Sequence, residues 1–584
     1  MKILQQPYKR DVLLIVLAGI IARLIALPWA QTVHADAVSR VHIAYEWLLD
    51  PYYIKEGYWG PLHHYLNGLF MLIFPGKVTG PVVLNILCAS LTAIPLYGFA
   101  INVFNSRKGA LLASLLYVFS PIVWWTSLQP LSEVSYGFFL ALSLYALSEG
   151  TRDKPEYRTA MFAGFFLTCA AAIRYEAWVI IAAFTLVVFL QRSWRYTLAF
   201  WSFAMLFPAA WMIGNHFEYG DFLYSVNQND VWNMGKEGIN DDVSAVERMK
   251  RVLFFPWSFG SNVSPIVAGL LAVALIRAVI KKRLSKDQLI WLIPFVVMAA
   301  VFQKKAWDGS LMLHHRFLVT WLILLLPFVP VIFMGTKWLR FRTVLMVLGL
   351  ISVIPMTFLW NKVHYTKRLG EGVLGQAMEE LAMGYYRELQ IIPRIEGTDT
   401  EDLLRAINGA GVPGDGLMLD FFGWDRSYYV ALHALPNTIV MYGAKHEEYK
   451  AEDVIGFLGE HPHGQLVFSR TGKMQDKVLL ADTLLAFEGV PTVLRIGEPR
   501  EFRGKWLYTY DVAVGPDPSA FDSLRIQGHR IFTAEKDAAY FDDQIRRDEA
   551  WYSKVRRQAF WKREPIDTTL RDNVAYMLSL EAGN

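Results

Sequence analysis

Long apolar runs separated by short polar turns occupy the first 360 residues of the chain. Several runs reach the ~20 residues that a membrane-spanning helix needs. They lie at residues 12–30, 80–103, 109–126, 131–148, 158–173, 177–190, 196–214, 263–280, 288–303, 317–335 and 343–360. The pattern predicts a multi-pass α-helical membrane protein with about eleven spans.

Two stretches between the first two spans predict helices that lie along the membrane surface. In residues 32–48, apolar side chains recur at spacings of three and four, which is typical of an amphipathic helix. They are Val38, Val41, Tyr45 and Leu48. The second stretch, residues 61–74, opens with a proline at a helix start. Its ~14 residues cover only about 21 Å, short of the ~30 Å hydrocarbon core.

The distribution of basic residues predicts the orientation in the membrane. If residues 61–74 do not span and the N-terminus is cytoplasmic, every cytoplasmic turn is basic, as the positive-inside rule requires. These turns carry Arg107 and Lys108; Arg152, Lys154 and Arg158; Arg192 and Arg195; Lys281, Lys282, Arg283 and Lys286; and Lys337, Arg340 and Arg342. We expect an inner (plasma) membrane protein with external chemistry, whose basic start is a retained signal-anchor.

The composition changes after residue 360. Helical patterns at 366–390, 400–410, 427–434, 452–459 and 537–559 alternate with short apolar segments. These segments lie at 416–419, 438–441, 465–468, 492–496 and 506–510. This alternation predicts two domains, a transmembrane domain at 1–360 and an extracytoplasmic α/β domain at 361–584. The net charge of +4 on 584 residues is too small to indicate a nucleic-acid partner. Cys88 and Cys169 lie in apolar runs, which favours free thiols over a disulfide framework.

Asp36 is the first candidate for chemistry, because it lies a few residues past the first span on the predicted outer face. Arg40 follows one helical turn later, so the two side chains can share a helix face. One interpretation is that Asp36 caps the amphipathic helix. The other is that its carboxylate acts as a base on a substrate at the membrane surface. Spacing alone leaves both open.

Further candidates lie in other outer turns. Glu133 is either an ordinary helix-end charge or a second carboxylate of the site. The external loop at 303–316 carries a group of cations and imidazoles, Lys304, Lys305, His314, His315 and Arg316. Basic side chains on an outer loop are unexpected under the positive-inside rule, so they either bind an anion or anchor the loop at lipid headgroups. Arg174 and Glu176 indicate a structural pair at the ends of two spans.

The histidines of the outer loops raise the question of a metal site. His34, His63, His64, His216, His314 and His315 are available. Adjacent histidines on a helix point in different directions, and oxygen ligands in sufficient number for Mg²⁺ or Mn²⁺ are not evident. The residues alone therefore indicate no firm metal or other cofactor, although a divalent cation stays open.

The order of these motifs resembles that of a known family. The motifs are Asp36 and Arg40 before an aromatic-rich helix, Tyr-Trp-Gly-Pro-Leu-His-His-Tyr-Leu at 58–66, Gln-Pro-Leu-Ser-Glu-Val around Glu133, Arg-Tyr-Glu-Ala-Trp at 174–178 and His-His-Arg-Phe-Leu at 314–318. In this order they resemble the GT-C superfamily of membrane glycosyltransferases, and within it bacterial protein mannosyltransferase-like and aminoarabinose transferase-like members.

The resemblance implies a polyprenyl-phosphate sugar as donor, inversion at the anomeric carbon, and an acidic residue of the first outer loop, here Asp36, as base. Some members of the superfamily use a divalent cation held by acids of the first and second outer loops. The resemblance implies Asp36 and Glu133 as the matching pair in this chain. Because a normal aspartate is a weak base, we expect the site to be desolvated and the pKa of Asp36 to be raised. Arg40, Lys304, Lys305, His314, His315 and Arg316 are the candidates for binding the donor phosphate.

Two positions depart from the family pattern, and one segment is similar to a related family. Ala37 stands where relatives often have a second acid, and Gly60 where the aminoarabinose type has a phosphate-binding lysine. Residues 423–427, Gly-Trp-Asp-Arg-Ser, are faintly similar to a signature of oligosaccharyltransferases.

Three functions are compatible with these features. The first is sugar transfer to a hydroxyl of a lipid, polysaccharide or protein acceptor. The second is oligosaccharide transfer, and the third is a transporter or lipid flippase. A transporter needs ionisable or broken helices near the bilayer midplane. The spans here are mostly uninterrupted and their charges cluster at the outer ends, which favours surface chemistry.

Overall fold

The computed structural model divides the chain into two compact units, Met1–Arg394 and Ile395–Asn584. In the first unit it describes residues 6–32, 34–54, 59–74, 76–150, 156–237, 245–334, 341 and 343–349. In the second it describes 398–411, 415–420, 424–434, 439–442, 449–469, 474, 477–481, 483–502, 505–514, 529–530, 541–542, 545–546, 551–552, 555 and 566–582. The predicted domain boundary after residue 360 lies outside these ranges and stays a prediction.

The described part of the first unit is helical. Its helices are α1 (Gln6–Ala26), α2 (Ala35–Leu49), α3 (Leu62–Ile73), α4 (Thr79–Leu91), α5 (Ala93–Phe104), α6 (Arg107–Val118), α7 (Pro121–Ser127), α8 (Ser132–Gly150), α9 (Tyr157–Ala171), α10 (Glu176–Gln191), α11 (Trp194–Ala204), α12 (Leu206–Tyr219), α13 (Tyr224–Glu237), α14 (Ala245–Val263), α15 (Pro265–Ile280), α16 (Lys286–Ile290), α17 (Ile293–Asp308) and α18 (Leu318–Leu325). A 3-10 turn, His315–Phe317, precedes α18, and a 3-10 segment, Leu326–Phe333, follows it.

The multi-pass helical architecture is confirmed. Within the described ranges, four helical stretches are long and apolar enough to cross a membrane, Tyr8–Trp29, Thr79–Phe104, Lys286–Asp308 and His315–Phe333. Three bent pairs raise the number to as many as seven: α6 with α7, α11 with α12, and the Arg251–Val263 part of α14 with α15. The last bend is 114°, and proline at the start of α15 fixes the backbone there. The predicted eleven spans stay a prediction, since residues 350–360 lie outside the description.

The two predicted surface helices are present as α2 and α3, and they pack against each other. A Cβ on Gly68 of α3 would lie 2.7 Å from the Trp47 ring of α2, so only glycine permits this approach. At 12 residues, α3 covers about 18 Å and is too short to span. Its Leu72 is 71% exposed while His63 and His64 are fully buried. One face of α3 is thus apolar and open, and the other is polar and packed.

A buried amide network fixes the turn between α7 and α8. Nδ2 of Asn85 donates to the carbonyl oxygens of Gln129 (2.6 Å) and Leu131 (2.7 Å). The side-chain oxygen of Gln129 in turn accepts from the backbone N–H of His34 at 3.0 Å. The network ties the loop before α2, and with it Asp36, to the end of α7.

Arg23 is fully buried within the first apolar run. Its guanidinium donates to the hydroxyl of Ser127 at 2.6 Å and to the carbonyl oxygens of Val118 (2.6 Å) and Gly19 (3.1 Å). Val118 ends α6, and the last carbonyls of a helix lack intrahelical partners. Arg23 therefore satisfies the backbone where α6 breaks into α7.

The second unit contains the predicted α/β layer. Its described strands are β1 (Gly416–Leu419), β2 (Ile439–Tyr442), β3 (His463–Ser469), β4 (Val478–Ala481), β5 (Leu484–Phe487), β6 (Val493–Ile496), β7 (Arg500–Glu501), β8 (Lys505–Val514) and β9 (His529–Arg530). They form one sheet in the order β2-β1-β3-β8-β6-β5-β4-β9, with β7 beside β8. The pairs β1–β2 and β1–β3 are parallel and the others antiparallel.

The helices of the second unit complete this layer. They are α19 (Thr398–Ala410), α20 (Trp424–His433), α21 (Ala451–Glu460) and α22 (Ile566–Ala582). The five strands predicted from the apolar segments are confirmed as β1, β2, β3, β6 and β8. The sequence pattern missed β4, β5, β7, β9 and α22. The helix predicted at 366–390 lies outside the described residues.

Candidate active site

Asp36 is the second helical residue of α2, and the cap of this helix is His34. The imidazole Nδ1 of His34 accepts from the backbone N–H of Asp36 at 3.2 Å, while the N-terminus of α2 begins at Ala35. The interpretation of Asp36 as the helix cap is therefore wrong. An imidazole takes the capping position, which leaves the carboxylate free to face a different partner.

That partner is Arg316, in the 3-10 turn before α18. Its Nη1 donates to Oδ2 of Asp36 at 2.5 Å, and its Nε lies 3.6 Å from Oε1 of Glu133. The side chains of Arg316 and Glu133 are 9% and 2% exposed, and that of Asp36 is 27% exposed. The structure thus brings both predicted catalytic acids onto one predicted phosphate-binding arginine, in a site that opens on the side of Asp36.

Arg174 extends this cluster on the other side of Glu133. Its Nη1 donates to Oε1 of Glu133 at 2.6 Å, and its Nη2 to Oε1 of Glu176 at 2.7 Å. The predicted pair of Arg174 and Glu176 is present, but sequence reasoning missed its link to Glu133. Carboxylates and guanidiniums therefore alternate from Asp36 through Arg316, Glu133 and Arg174 to Glu176, and each charge in the row is partly neutralised by its neighbours.

Arg40 lies beside this row and is only 3% exposed. Its guanidinium carbon stands 4.6 Å from the centre of the Trp59 ring, a cation–π contact. Within the described part of the chain, its buried Nη1 has no hydrogen-bond acceptor. Nε2 of His63 and Nε2 of His64 are also buried and have no hydrogen-bond partner among the described residues. The sequence could not show these missing partners, because they depend on how separate helices pack.

The histidines are held in place by α3 and α2. Nδ1 of His64 lies 3.4 Å from the carbonyl oxygen of Arg40, and Nδ1 of His63 lies 3.3 Å from Nδ2 of Asn67. Burial, and then the charge of Arg40, lower the pKa of His64 to about 3. His64 is therefore neutral at physiological pH, and the positive charge at this position belongs to Arg40.

The position of Gly60, where the resemblance implies a lysine, has no room for a side chain. A Cβ at this position would lie 2.3 Å from the carbonyl oxygen of Ala172, far inside van der Waals contact. The same oxygen accepts from the backbone N–H of Leu62 at 3.1 Å. A lysine cannot occupy this position without moving the chain, so any cation for a phosphate here has to come from another element.

The electrostatics of Asp36 overturn one expectation. Burial raises the pKa of the carboxyl, but Arg316, His34 and Arg40 together lower it well below its usual value. The predicted raised pKa is wrong, because sequence reasoning anticipated the desolvation but not the number of cations that face the group. Asp36 is ionised, and it is a weak base for as long as Arg316 stays on it.

The remaining predicted phosphate ligands divide into near and distant groups. The His314 ring lies 6.3 Å from the His34 ring, and His315 packs against Phe254 with ring centres 5.1 Å apart. Lys304, whose side chain is 78% exposed, pairs with Asp308 at 2.6 Å. Lys305 pairs with Asp230 at 2.5 Å. Both ammonium groups are thus engaged by carboxylates outside the Asp36 row.

No group of three or more His, Cys, Asp or Glu side chains within the described ranges is arranged to hold a metal ion. The pair implied by the family, Asp36 and Glu133, already shares the guanidinium of Arg316. As placed here, these two carboxylates do not fit a divalent cation.

Comparisons with known proteins agree with this architecture. Residues 59–213 match the family model of dolichyl-phosphate-mannose-protein mannosyltransferases. Two structures of ArnT from Cupriavidus metallidurans, one bound to undecaprenyl phosphate and one in the apo state, are each 11% identical with a TM-score of 0.54. The match covers 85% of this chain and 97% of ArnT in the first case, and 86% and 98% in the second.

The Archaeoglobus fulgidus oligosaccharyltransferase is similar at 10% identity and a TM-score of 0.45, over 79% of this chain and 69% of that one. No curated protein matches the chain by sequence. The comparisons bear out the resemblance found in the sequence to this extent: the chain has an ArnT-like fold, and residues 59–213 match the mannosyltransferase family model.

Proposed function

We propose that this chain is an inverting glycosyltransferase that moves a sugar from a polyprenyl-phosphate donor to an acceptor hydroxyl on the outer face of the membrane. The observation that carries the proposal is the buried Arg40 guanidinium with an Nη1 that has no acceptor in the described part of the chain. A buried charged donor without a partner is costly. An anionic group that binds there would remove this cost.

The neighbourhood of Arg40 suits a phosphate. Nε2 of His63 and Nε2 of His64 add two buried nitrogens without partners, and Arg316 adds a second guanidinium close to Asp36. Guanidinium groups bind phosphate oxygens in charge-assisted pairs. Support also comes from ArnT, which has this fold and was solved with undecaprenyl phosphate. A polyprenyl phosphate keeps its tail in lipid and its phosphate at the depth of the surface helices.

The transfer needs few protein groups. The acceptor oxygen attacks the anomeric carbon and its proton passes to the Asp36 carboxylate. The bond from the anomeric carbon to the phosphate oxygen breaks, and polyprenyl phosphate leaves with the electron pair. Since the leaving group is already a stabilised anion, cations that hold its charge contribute more than a general acid would.

Donor binding would also change the basicity of Asp36. The carboxylate now shares Arg316 with Glu133, which keeps its pKa low. A phosphate that draws Arg316 away would leave the desolvated carboxylate with fewer cations, so its pKa would rise. The base would thus become stronger when the donor is in place. In this proposal Glu133 positions Arg316 and Arg174 and does not exchange protons itself.

The test is sugar release by purified full-length protein from a panel of labelled polyprenyl-phosphate sugars, with a hydroxyl acceptor mixture from the cell envelope. We expect one donor to lose its sugar with inverted configuration, and we expect wild-type activity to survive a chelator. The Arg40→Gln variant should bind this donor at least ~10-fold more weakly. Release of intact oligosaccharide blocks, or no release from any donor by folded protein, would overturn the proposal.

A further inference from the structure

A cavity lies in the first unit, away from the Asp36 row. It has a volume of about 200 Å³ and lies between the last turns of α15 and the 3-10 segment Leu326–Phe333. Nine of its eleven lining residues are apolar, among them Leu270, Val273 and Val331, and the other two are Arg277 and Arg283. Apolar surface and cationic groups thus meet in one concave site.

This cavity is far from the Asp36 row. Pro330 of the 3-10 segment packs on Gly109, where an added Cβ would lie 2.6 Å from the proline ring. Gly109 is two residues from Arg107, which pairs with Asp11 near the start of α1. The 21 residues of α1 then extend for roughly 31 Å toward the loop that carries Asp36. The cavity therefore lies at the end of the unit that the charge pattern predicts to be cytoplasmic.

The two arginines are available to a ligand. Both are exposed, and neither guanidinium has a hydrogen bond or ion pair among the residues that the structure describes. Arg277 stands in the last turn of α15, and the backbone of Arg283 is fixed by its N–H donating to the carbonyl oxygen of Ala278 at 2.8 Å. Two guanidiniums are thus presented to one cavity by a single ordered turn.

We propose that this cavity binds one anionic phospholipid, with the phosphate held by Arg277 and Arg283 and an acyl chain against the apolar wall. Charge complementarity selects the headgroup, since basic pockets between membrane helices bind anionic lipids. The apolar wall selects a lipid over free phosphate, because an inorganic ion would leave that wall without a partner. A zwitterionic lipid would place its own cation near both arginines.

The test uses purified full-length protein, titrated with phosphatidylglycerol or phosphatidylcholine and read by native mass spectrometry. We expect wild type to retain phosphatidylglycerol in preference, and the Arg277→Gln/Arg283→Gln double variant to bind it at least ~10-fold more weakly. The matched control is Lys281→Gln/Lys282→Gln, which removes two charges from the same turn without touching the cavity wall. This control should bind as wild type does.

A third variant tests the apolar half. Ala274→Phe fills the cavity while both arginines stay, and it should also lose phosphatidylglycerol. Thermal unfolding of each variant checks its fold, and if the arginine variant unfolds, Ala274→Phe decides the question. Equal weakening by the lysine control would overturn the proposal in favour of general surface charge. Full displacement of the lipid by inorganic phosphate would show an anion site without an acyl subsite, and would overturn it as well.

Discussion

Replacement of Asp36 by asparagine separates a catalytic carboxylate from a structural one. Asparagine keeps the size of the side chain and an oxygen that Arg316 can bind, but it removes the charge and the basicity. If Asp36 is the base, turnover should fall at least ~100-fold, which corresponds to about 2.7 kcal/mol of activation free energy. Donor affinity and membrane insertion should change little.

The structure also limits how much Asp36→Asn can lower the free energy of unfolding. Removing one partner of a fully buried ion pair costs ~3–5 kcal/mol. The Asp36 side chain is 27% exposed and Arg316 keeps Glu133 at 3.6 Å, so we expect a loss of only about 1–2 kcal/mol in the free energy of unfolding. Against a typical stability of ~5–15 kcal/mol, this loss leaves nearly all molecules folded. Unfolding therefore cannot imitate a 100-fold loss of turnover.

The assay is single-turnover release of sugar from the labelled donor, beside thermal unfolding of the same preparation. Glu46→Gln is the matched control, since it removes a carboxylate from the same helix, α2, where Glu46 pairs with His42 at 3.0 Å. It should stay near wild-type activity. An Asp36→Asn enzyme with more than about a tenth of wild-type turnover would refute the base assignment.

Three further expectations can be checked independently. Arg316→Gln should weaken donor binding at least ~10-fold. Lys304→Gln should change donor binding less than ~2-fold, because the Lys304 side chain is exposed and pairs with Asp308. Equal effects of the two variants in a donor-binding assay would contradict the placement of the phosphate. The pKa of His64 is about 3 in the folded protein, below the unfolded value of ~6.5, so protonation favours the unfolded state and stability falls as the pH drops through this window. At pH 5.5 the free energy of unfolding is lower by about 1.4 kcal/mol. A His64→Gln variant should therefore show a flatter dependence of melting temperature on pH. In intact cells, an impermeant thiol reagent should label a cysteine placed at Gly472 but not one at Ser285, and labelling of the second would refute the orientation.

The local pattern of the sequence determined the architecture. The lengths of the apolar runs indicated the spanning helices, and the shortness of 61–74 indicated a helix that cannot span, which the 12-residue α3 confirms. Alternation of short apolar segments with helical patterns gave the α/β layer with β1, β2, β3, β6 and β8. These features are set by residues within one or two turns of each other, where periodicity and chain geometry decide the outcome.

The position of Asp36 just after the first apolar run was also readable from the sequence, but its surroundings were not. Arg316 is 280 positions away in the chain, and Arg174 reaches Glu133 across 41 positions. No local pattern encodes which cation meets which carboxylate, because the packing of separate helices decides it. The pKa of Asp36 was mispredicted for this reason: its sign depends on how many cations converge on the group.

Only the tertiary structure decided the role of the buried polar groups. Arg23 lies in an apolar run, yet its guanidinium satisfies the carbonyl of Val118 at the break of α6. Gly60 cannot carry a side chain without moving the chain, because the backbone of Ala172 fills the space. In both cases a neighbour from a distant element determines the role of the residue. A buried polar group needs a hydrogen-bond partner, and a close approach leaves no room for a side chain, and only the fold decides which neighbour supplies either.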